Sequence, residues 1–153
     1  IESSDSDASN LLSWSPSTNL SYEKNYKDDK RDGLETVWYD SGKLLSKQKF
    51  VNDIRVGTYR EWWESNGKLK IEGIYIDGLK DGWFHERYEN GNLKYECGYV
   101  KDLKEGWYQE NYENGIVKEK GHYKQDIKEG WWEEFDKTGK ALFSGNYENG
   151  VKV

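Results

Sequence analysis

Cysteine occurs once in these 153 residues, methionine never, and no apolar run approaches the length of a membrane span. The lone Cys97 excludes an intramolecular disulfide and any multi-cysteine metal site. It stands just before a closing tyrosine, where most other units carry glycine or a polar residue, and reads as a semi-buried structural thiol rather than a reactive one. Without about 20 consecutive apolar residues there is no transmembrane helix. A basic excess is also missing: the formal net charge is −6, and lysines alternate with acids, as in Lys27-Asp28-Asp29-Lys30-Arg31-Asp32. This balance disfavours a phosphate-tracking surface and a polybasic lipid anchor. No nucleic-acid partner is therefore expected, and direct membrane-lipid binding is disfavoured.

Catalytic signatures are lacking too. There is no glycine loop ending in Gly-Lys-Ser or Gly-Lys-Thr and no Gly-x-Ser-x-Gly elbow. His85 and His122 occupy non-equivalent positions without zinc-type spacing. The expectation is a protein that is not an enzyme and uses no metal or cofactor.

Aliphatic residues are too few for a thick core, and a mean hydropathy of −1.13 with 34% charged residues would by itself suggest disorder. Aromatics argue the other way, because 8 Trp, 12 Tyr and 4 Phe bury large areas and pair favourably. A thin structure stapled by aromatic side chains fits this composition.

What is abundant is periodic. Tyr26, Phe50, Tyr75, Tyr99, Tyr123 and Tyr147 recur every 24 residues, with one step of 25. Seven residues after each of the first five comes a glycine (Gly33, Gly57, Gly82, Gly106, Gly130), and a second glycine row follows at Gly42, Gly67, Gly91, Gly115 and Gly139. Such a period marks an array of small supersecondary units. Within a unit, two aromatic or β-branched segments flank Glu89-Asn90-Gly91 or its relatives, and Asn-Gly is the strongest short hairpin signal because both positions tolerate positive φ. Between units run connections such as Val100-Lys101-Asp102-Leu103-Lys104-Glu105-Gly106. Their aliphatic residue (Ile54, Leu79, Leu103, Ile127) is expected to tuck inward, and their glycines read as turn residues. The expected fold is all-β: an elongated single antiparallel sheet of tandem hairpins, about two strands per unit and on the order of 50 Å long.

Residues 1–9 read as a flexible polar segment, residues 10–26 as a degenerate capping repeat, and residues 27–153 as five hairpin repeats with a truncated sixth. The surplus residue of the 25-residue step lies in Trp62-Trp63-Glu64-Ser65-Asn66-Gly67 and reads as a bulge or a longer turn. The stretch Glu2 to Ser9 resembles a tether following a removed signal or lipoprotein peptide. That favours a secreted, periplasmic or lipoprotein-tethered protein over a cytoplasmic one, although trimming produces the same start.

Alternation places two aromatic sets on opposite faces. Trp38, Trp62, Trp83, Trp107 and Trp131 share the odd positions counted from each unit's first glycine and form the candidate partner-binding row. Tyr59, Phe84, Tyr108 and Trp132 share the even face with Tyr39, Trp63, Tyr88 and Tyr112, with Glu61, Glu86, Glu110 and Glu134 between. Either row serves as a structural ladder of cross-strand pairs or as the lining of a binding groove. Identical carboxylates in equivalent positions lack the unequal environments that acid–base chemistry needs, so they read as hydrogen-bond acceptors or lysine partners.

Units such as Asp81-Gly82-Trp83-Phe84-His85-Glu86-Arg87-Tyr88-Glu89-Asn90-Gly91-Asn92-Leu93-Lys94 and Glu105-Gly106-Trp107-Tyr108-Gln109-Glu110-Asn111-Tyr112-Glu113-Asn114-Gly115 resemble the bacterial variant of MORN repeats. Arrays of this kind are often labelled YwqK-family antitoxin components, and the resemblance covers about residues 20 to 153. It implies a twisted sheet of hairpins and a non-enzymatic scaffold mediating protein–protein interaction, with an antitoxin-like role. A carbohydrate or cell-wall-binding module using aromatic stacking is the competing expectation.

Overall fold

The computed structural model describes residues 8–15 and 20–153, and every regular element among them is a strand. The strands are β1 (Ala8–Ser15), β2 (Leu20–Lys27), β3 (Lys30–Arg31), β4 (Gly33–Trp38), β5 (Leu44–Val51), β6 (Ile54–Trp62) and β7 (Leu69–Ile76). There follow β8 (Leu79–Arg87), β9 (Leu93–Val100), β10 (Leu103–Asn111), β11 (Val117–Lys124), β12 (Ile127–Phe135), β13 (Ala141–Glu148) and β14 (Val151–Lys152). They form one antiparallel sheet in which each strand neighbours the next in sequence, with β3 off the path and paired to β2. The all-β hairpin array expected from the period is the observed fold. Of the polar segment expected over residues 1–9, residues 1–7 lie outside the described residues. β1 and β2 pair in continuous register from Ala8↔Lys27 to Ser15↔Leu20.

The two kinds of connection differ from the sequence reading. The two-residue turns with positive φ at both central positions are those between units: Asp28-Asp29, Asn52-Asp53, Asp77-Gly78, Lys101-Asp102, Gln125-Asp126 and Asn149-Gly150. This is the type I′ geometry, whose twist matches that of the flanking strands. At Glu89-Asn90-Gly91 only the glycine has positive φ (+94°). The Gly91 amide donates to the Tyr88 carbonyl at 2.9 Å and the Tyr88 amide to that of Asn92 at 2.8 Å. That is a type I turn closed by a left-handed glycine, and Asn90 is retained for its side chain, whose Oδ1 accepts from the Asn92 amide at 2.9 Å. In the turn beginning at Trp63 the equivalent bond, from the Gly67 amide to the Trp63 carbonyl, spans one residue more, so the 25-residue step is a longer turn.

The first glycine row also departs from expectation. These glycines are not turn residues but sit inside strands. Lys104 to Tyr108 of β10 opposes only Tyr99 to Cys97 of β9, and Gly106 with φ +82° lies in the bulged segment. β6, β8 and β12 repeat the irregularity around Gly57, Gly82 and Gly130. Two extra residues bend the strand yet preserve the side-chain alternation, so both faces stay continuous across the bulge.

The bend draws one rim of the sheet together. The Asp53, Gly78, Asp102, Asp126 and Gly150 amides donate directly to the carbonyls of Arg31, Arg55, Lys80, Lys104 and Lys128 in the preceding unit, at 2.9–3.0 Å. These units are two strands apart, a separation of about 9.6 Å in a flat sheet. At the opposite rim side chains span it instead: Tyr88 Oη donates to the Asn111 carbonyl at 2.8 Å and Asn90 Nδ2 to the Glu113 carbonyl at 2.9 Å. Tyr112 and Asn114 repeat both bonds one unit later.

Candidate functional site

One face of this single sheet is its core. Tyr59, Phe84, Tyr108 and Trp132 alternate across the strands with Gly73, Cys97, Gly121 and Gly145. The small partner is required, because a Cβ on Gly73 would collide with the Phe84 ring and one on Gly121 with Trp132. The closing tyrosines fill the next row and meet these rings edge to face. Tyr75–Phe84, Phe84–Tyr99, Tyr108–Tyr123 and Tyr123–Trp132 have centroids 5.1–5.4 Å apart at 73–86°. Each such pair adds roughly 0.5–1.5 kcal/mol beyond its burial. Trp132 is 0% exposed without a second layer among the described residues, because its neighbours on the same face enclose it.

A further row completes this enclosure, and sequence reading missed it. Arg31, Arg55, Lys80, Lys104, Lys128 and Lys152 follow the same beat and lay their cations over the rings: Lys80 over Phe84 and Tyr99 at 4.8 and 5.0 Å, Lys128 over Trp132 at 4.1 Å. The signal was a basic residue two places before each first glycine, hidden by the general density of lysine. In the first unit Glu35 and Gln48 occupy the aromatic and glycine slots, are buried, and bond to each other. The aromatic ladder therefore starts only at Tyr59.

The glutamate row lies on this face as lysine partners. Glu61, Glu86 and Glu110 hold Lys70, Lys94 and Lys118 at 2.7, 3.0 and 2.9 Å. The hydrogen bonds from Lys70 and Lys118 raise both ammonium pKa values. Cys97 is fully buried and burial pushes its thiol up to about 11, so it is held as an unreactive thiol. No group of three His, Cys, Asp or Glu among the described residues could hold a metal ion.

The opposite, outer face carries the five candidate tryptophans in two separate lines. Trp38 and Trp62 are half-buried near the rim of side-chain-bridged turns, where Trp62 helps line a hollow of about 420 Å³ with Lys43, Leu44 and Asn66. Trp83, Trp107 and Trp131 form a line beside the bulges. Trp83 and Trp131 are 47% and 55% exposed, whereas Trp107 donates its indole N–H to Glu96 Oε1 at 3.1 Å and packs on His122. Trp83 stacks on His85, whose Nδ1 lies 3.5 Å from the same glutamate. The aliphatic residues of the between-unit connections do not tuck inward: Ile54, Leu79, Leu103 and Ile127 are all exposed on this face. Their neighbours Lys80 and Lys104 take the inward positions, because cations can cover rings there and still reach water.

One face that buries a repeated aromatic ladder and another that exposes apolar side chains in register define a single-sheet hairpin-repeat scaffold. The family described as MORN repeat variant matches residues 31–52, 55–77, 86–101 and 104–125, more than half of the chain. The chain belongs to this family, a non-catalytic repeat scaffold whose repeats generally serve as interaction modules for proteins or membranes. The β12–β13 hairpin continues the same geometry beyond the matched residues. No curated protein matches the chain.

Proposed function

We infer that this protein is a non-enzymatic scaffold that binds a protein partner through its outer face. The observation that supports the reading is the asymmetry of the sheet: core-face rings are buried by their own neighbours, while Trp83, Trp131 and the connection aliphatics stay exposed in repeating positions. Contiguous apolar surface of this kind on a folded protein marks interaction sites. Cross-linking in cells of the source organism, followed by mapping onto the outer face, tests it. Trp83→Ser with Trp131→Ser should abolish the cross-links while leaving circular dichroism unchanged. Cross-links that persist in this variant, or that map to the core face, refute the reading. Likeness to antitoxin-labelled arrays supports a toxin as the partner, neutralised by covering its active surface. Co-expression with neighbouring toxic genes tests this, and growth that stays arrested rejects it.

A second reading rests on the repetition of the outer-face rings. Trp83, Trp107 and Trp131 recur on every second strand of the sheet, and a regular file of rings suits stacking on successive sugars of an extended glycan. Quenching of tryptophan fluorescence by cell-wall fragments would support it, and unchanged emission would remove it.

A further inference from the structure

We propose that the middle of the outer face is a slot for one guanidinium group, an arginine side chain of the partner, resting on the reading that a protein binds through this face. One row across that face carries three cross-strand couples: Arg60 with Glu72, His85 with Glu96, and Lys120 with Glu133. The first and third are ion pairs of permanent charges, at 2.5 and 3.0 Å. In the middle couple the acid faces a histidine, charged only when protonated, whose Nδ1 lies 3.5 Å from Glu96 Oε2. Glu96 is thus the acid of this row that is matched by neither lysine nor arginine.

The sheet also lacks a side chain beside this acid. Gly98 stands in β9 where β7 has Ile74, β11 has His122 and β13 has Asn146. It lies opposite Trp83 on one side and opposite the bulge that leads into Trp107 on the other. A Cβ on Gly82 would touch the Ile74 side chain, whereas one on Gly106, a unit later, would meet nothing within 4 Å. Bare backbone therefore separates Trp83 from Trp107. A Cβ on Gly98 would collide with the Glu105 carbonyl oxygen, so a backbone acceptor floors the gap. Trp83 is 47% exposed and nearly parallel to the His85 ring, at 18°. Across the gap Trp107 donates its indole N–H to Glu96 Oε1 at 3.1 Å, which fixes the carboxylate at the end of the slot.

Chemistry selects the occupant. A guanidinium is planar and stacks on an indole, while its fork of N–H donors reaches a carboxylate and a carbonyl together. An ammonium is a compact, strongly hydrated charge with no face to stack. A sugar ring stacks on tryptophan but brings no charge to Glu96, and an anionic group is repelled by it.

Nuclear magnetic resonance of the labelled protein provides the test, with the indole N–H signals of Trp83 and Trp107 assigned from their phenylalanine variants. The probe is an end-blocked Gly-Arg-Gly tripeptide, titrated at about pH 8, above the ordinary histidine range. It should move both signals saturably, with a Kd on the order of 1 mM. The matching glutamine peptide should move neither, and the lysine peptide should bind at least about fivefold more weakly. Glu96→Gln keeps an acceptor for Trp107 and removes the charge; it should weaken arginine binding at least about tenfold without a change in thermal melting. Trp83→Leu, which removes the stacking ring, should do the same. No movement with the arginine peptide, an equal response to glutamine, or full affinity in Glu96→Gln overturns the slot. A lysine peptide that binds equally well overturns the guanidinium. If the peptide fails while outer-face cross-links to a partner persist, only the slot falls. If the peptide binds but no outer-face cross-link forms, the protein-binding reading falls, and with it the assignment of the arginine to a partner.

Discussion

Trp131 and Trp132 are adjacent in sequence and opposite in fate, which makes them a sharp probe of the two-faced sheet. Trp132 is fully buried against Tyr108, Tyr123 and Tyr147, lies under the Lys128 ammonium at 4.1 Å, and donates its indole N–H to the His122 carbonyl at 3.1 Å. Trp132→Ala should cost about 4 kcal/mol, within the range of roughly 3–5 for truncating a buried Trp. Trp131→Ala removes an outer-face side chain that is more exposed than buried and should cost within about 0.5 kcal/mol. Trp132→Phe keeps an aromatic in the slot that Phe84 fills in β8 and should lose about 1–2 kcal/mol, largely the indole hydrogen bond. Guanidinium unfolding followed by far-ultraviolet circular dichroism gives these differences without relying on tryptophan emission. Because each unit touches mainly its neighbours, the Trp132→Ala loss should concentrate in β11 to β14 as faster amide exchange. Equal costs for the two alanine variants, or unchanged exchange in the last hairpin, would refute the assignment of the core face.

Other consequences follow from the same ladder. Gly121→Ala puts a Cβ into the Trp132 ring and should destabilise by about 1–3 kcal/mol through overpacking, readable as a lowered melting temperature. Burial raises the phenol pKa values of Tyr59, Tyr99 and Tyr108 and pushes Tyr123 up to about 12. An acid raised on folding stabilises the fold fully below its unfolded pKa of about 10 and loses that contribution as pH rises through the folded value. Stability should therefore hold to about pH 10 and then fall steeply towards pH 12, with tyrosinate absorbance appearing together with loss of circular dichroism; ionisation of these rings in an intact fold would contradict it. Cys97 should resist alkylation at pH 8 until denaturant is added. Lys101→Asn relieves a lysine held at φ +48° in a type I′ turn and should stabilise by about 0.5–1 kcal/mol, seen as a higher denaturant midpoint.

Much of the architecture was legible because the repeat writes it several times over. Strand order, the hairpin unit and the place of the surplus residue after Trp62 follow from where the 24-residue beat holds and where it slips, while the Gly67–Trp63 bond decides for a longer turn over a bulge. The inward row at Lys80, Lys104 and Lys128 was not legible, since lysine next to leucine normally reads as the exposed partner of the pair. Here the order is reversed, because the ring beneath each cation is supplied partly by the next strand, as Tyr99 is for Lys80. Glycine roles were equally ambiguous: Gly91 and Gly106 have nearly the same positive φ, yet one closes a turn and the other sits in a bulge.

By itself the sequence determined an antiparallel hairpin array with one aromatic set on each face, because period, turn chemistry and alternation are local properties of the chain. Only the tertiary structure decided which face is the core. That choice depends on the double bulges at the first glycines and on rim bonds between units two strands apart. Those features turn Trp132 into the most enclosed side chain of its hairpin while leaving Trp131, one residue earlier, exposed to solvent.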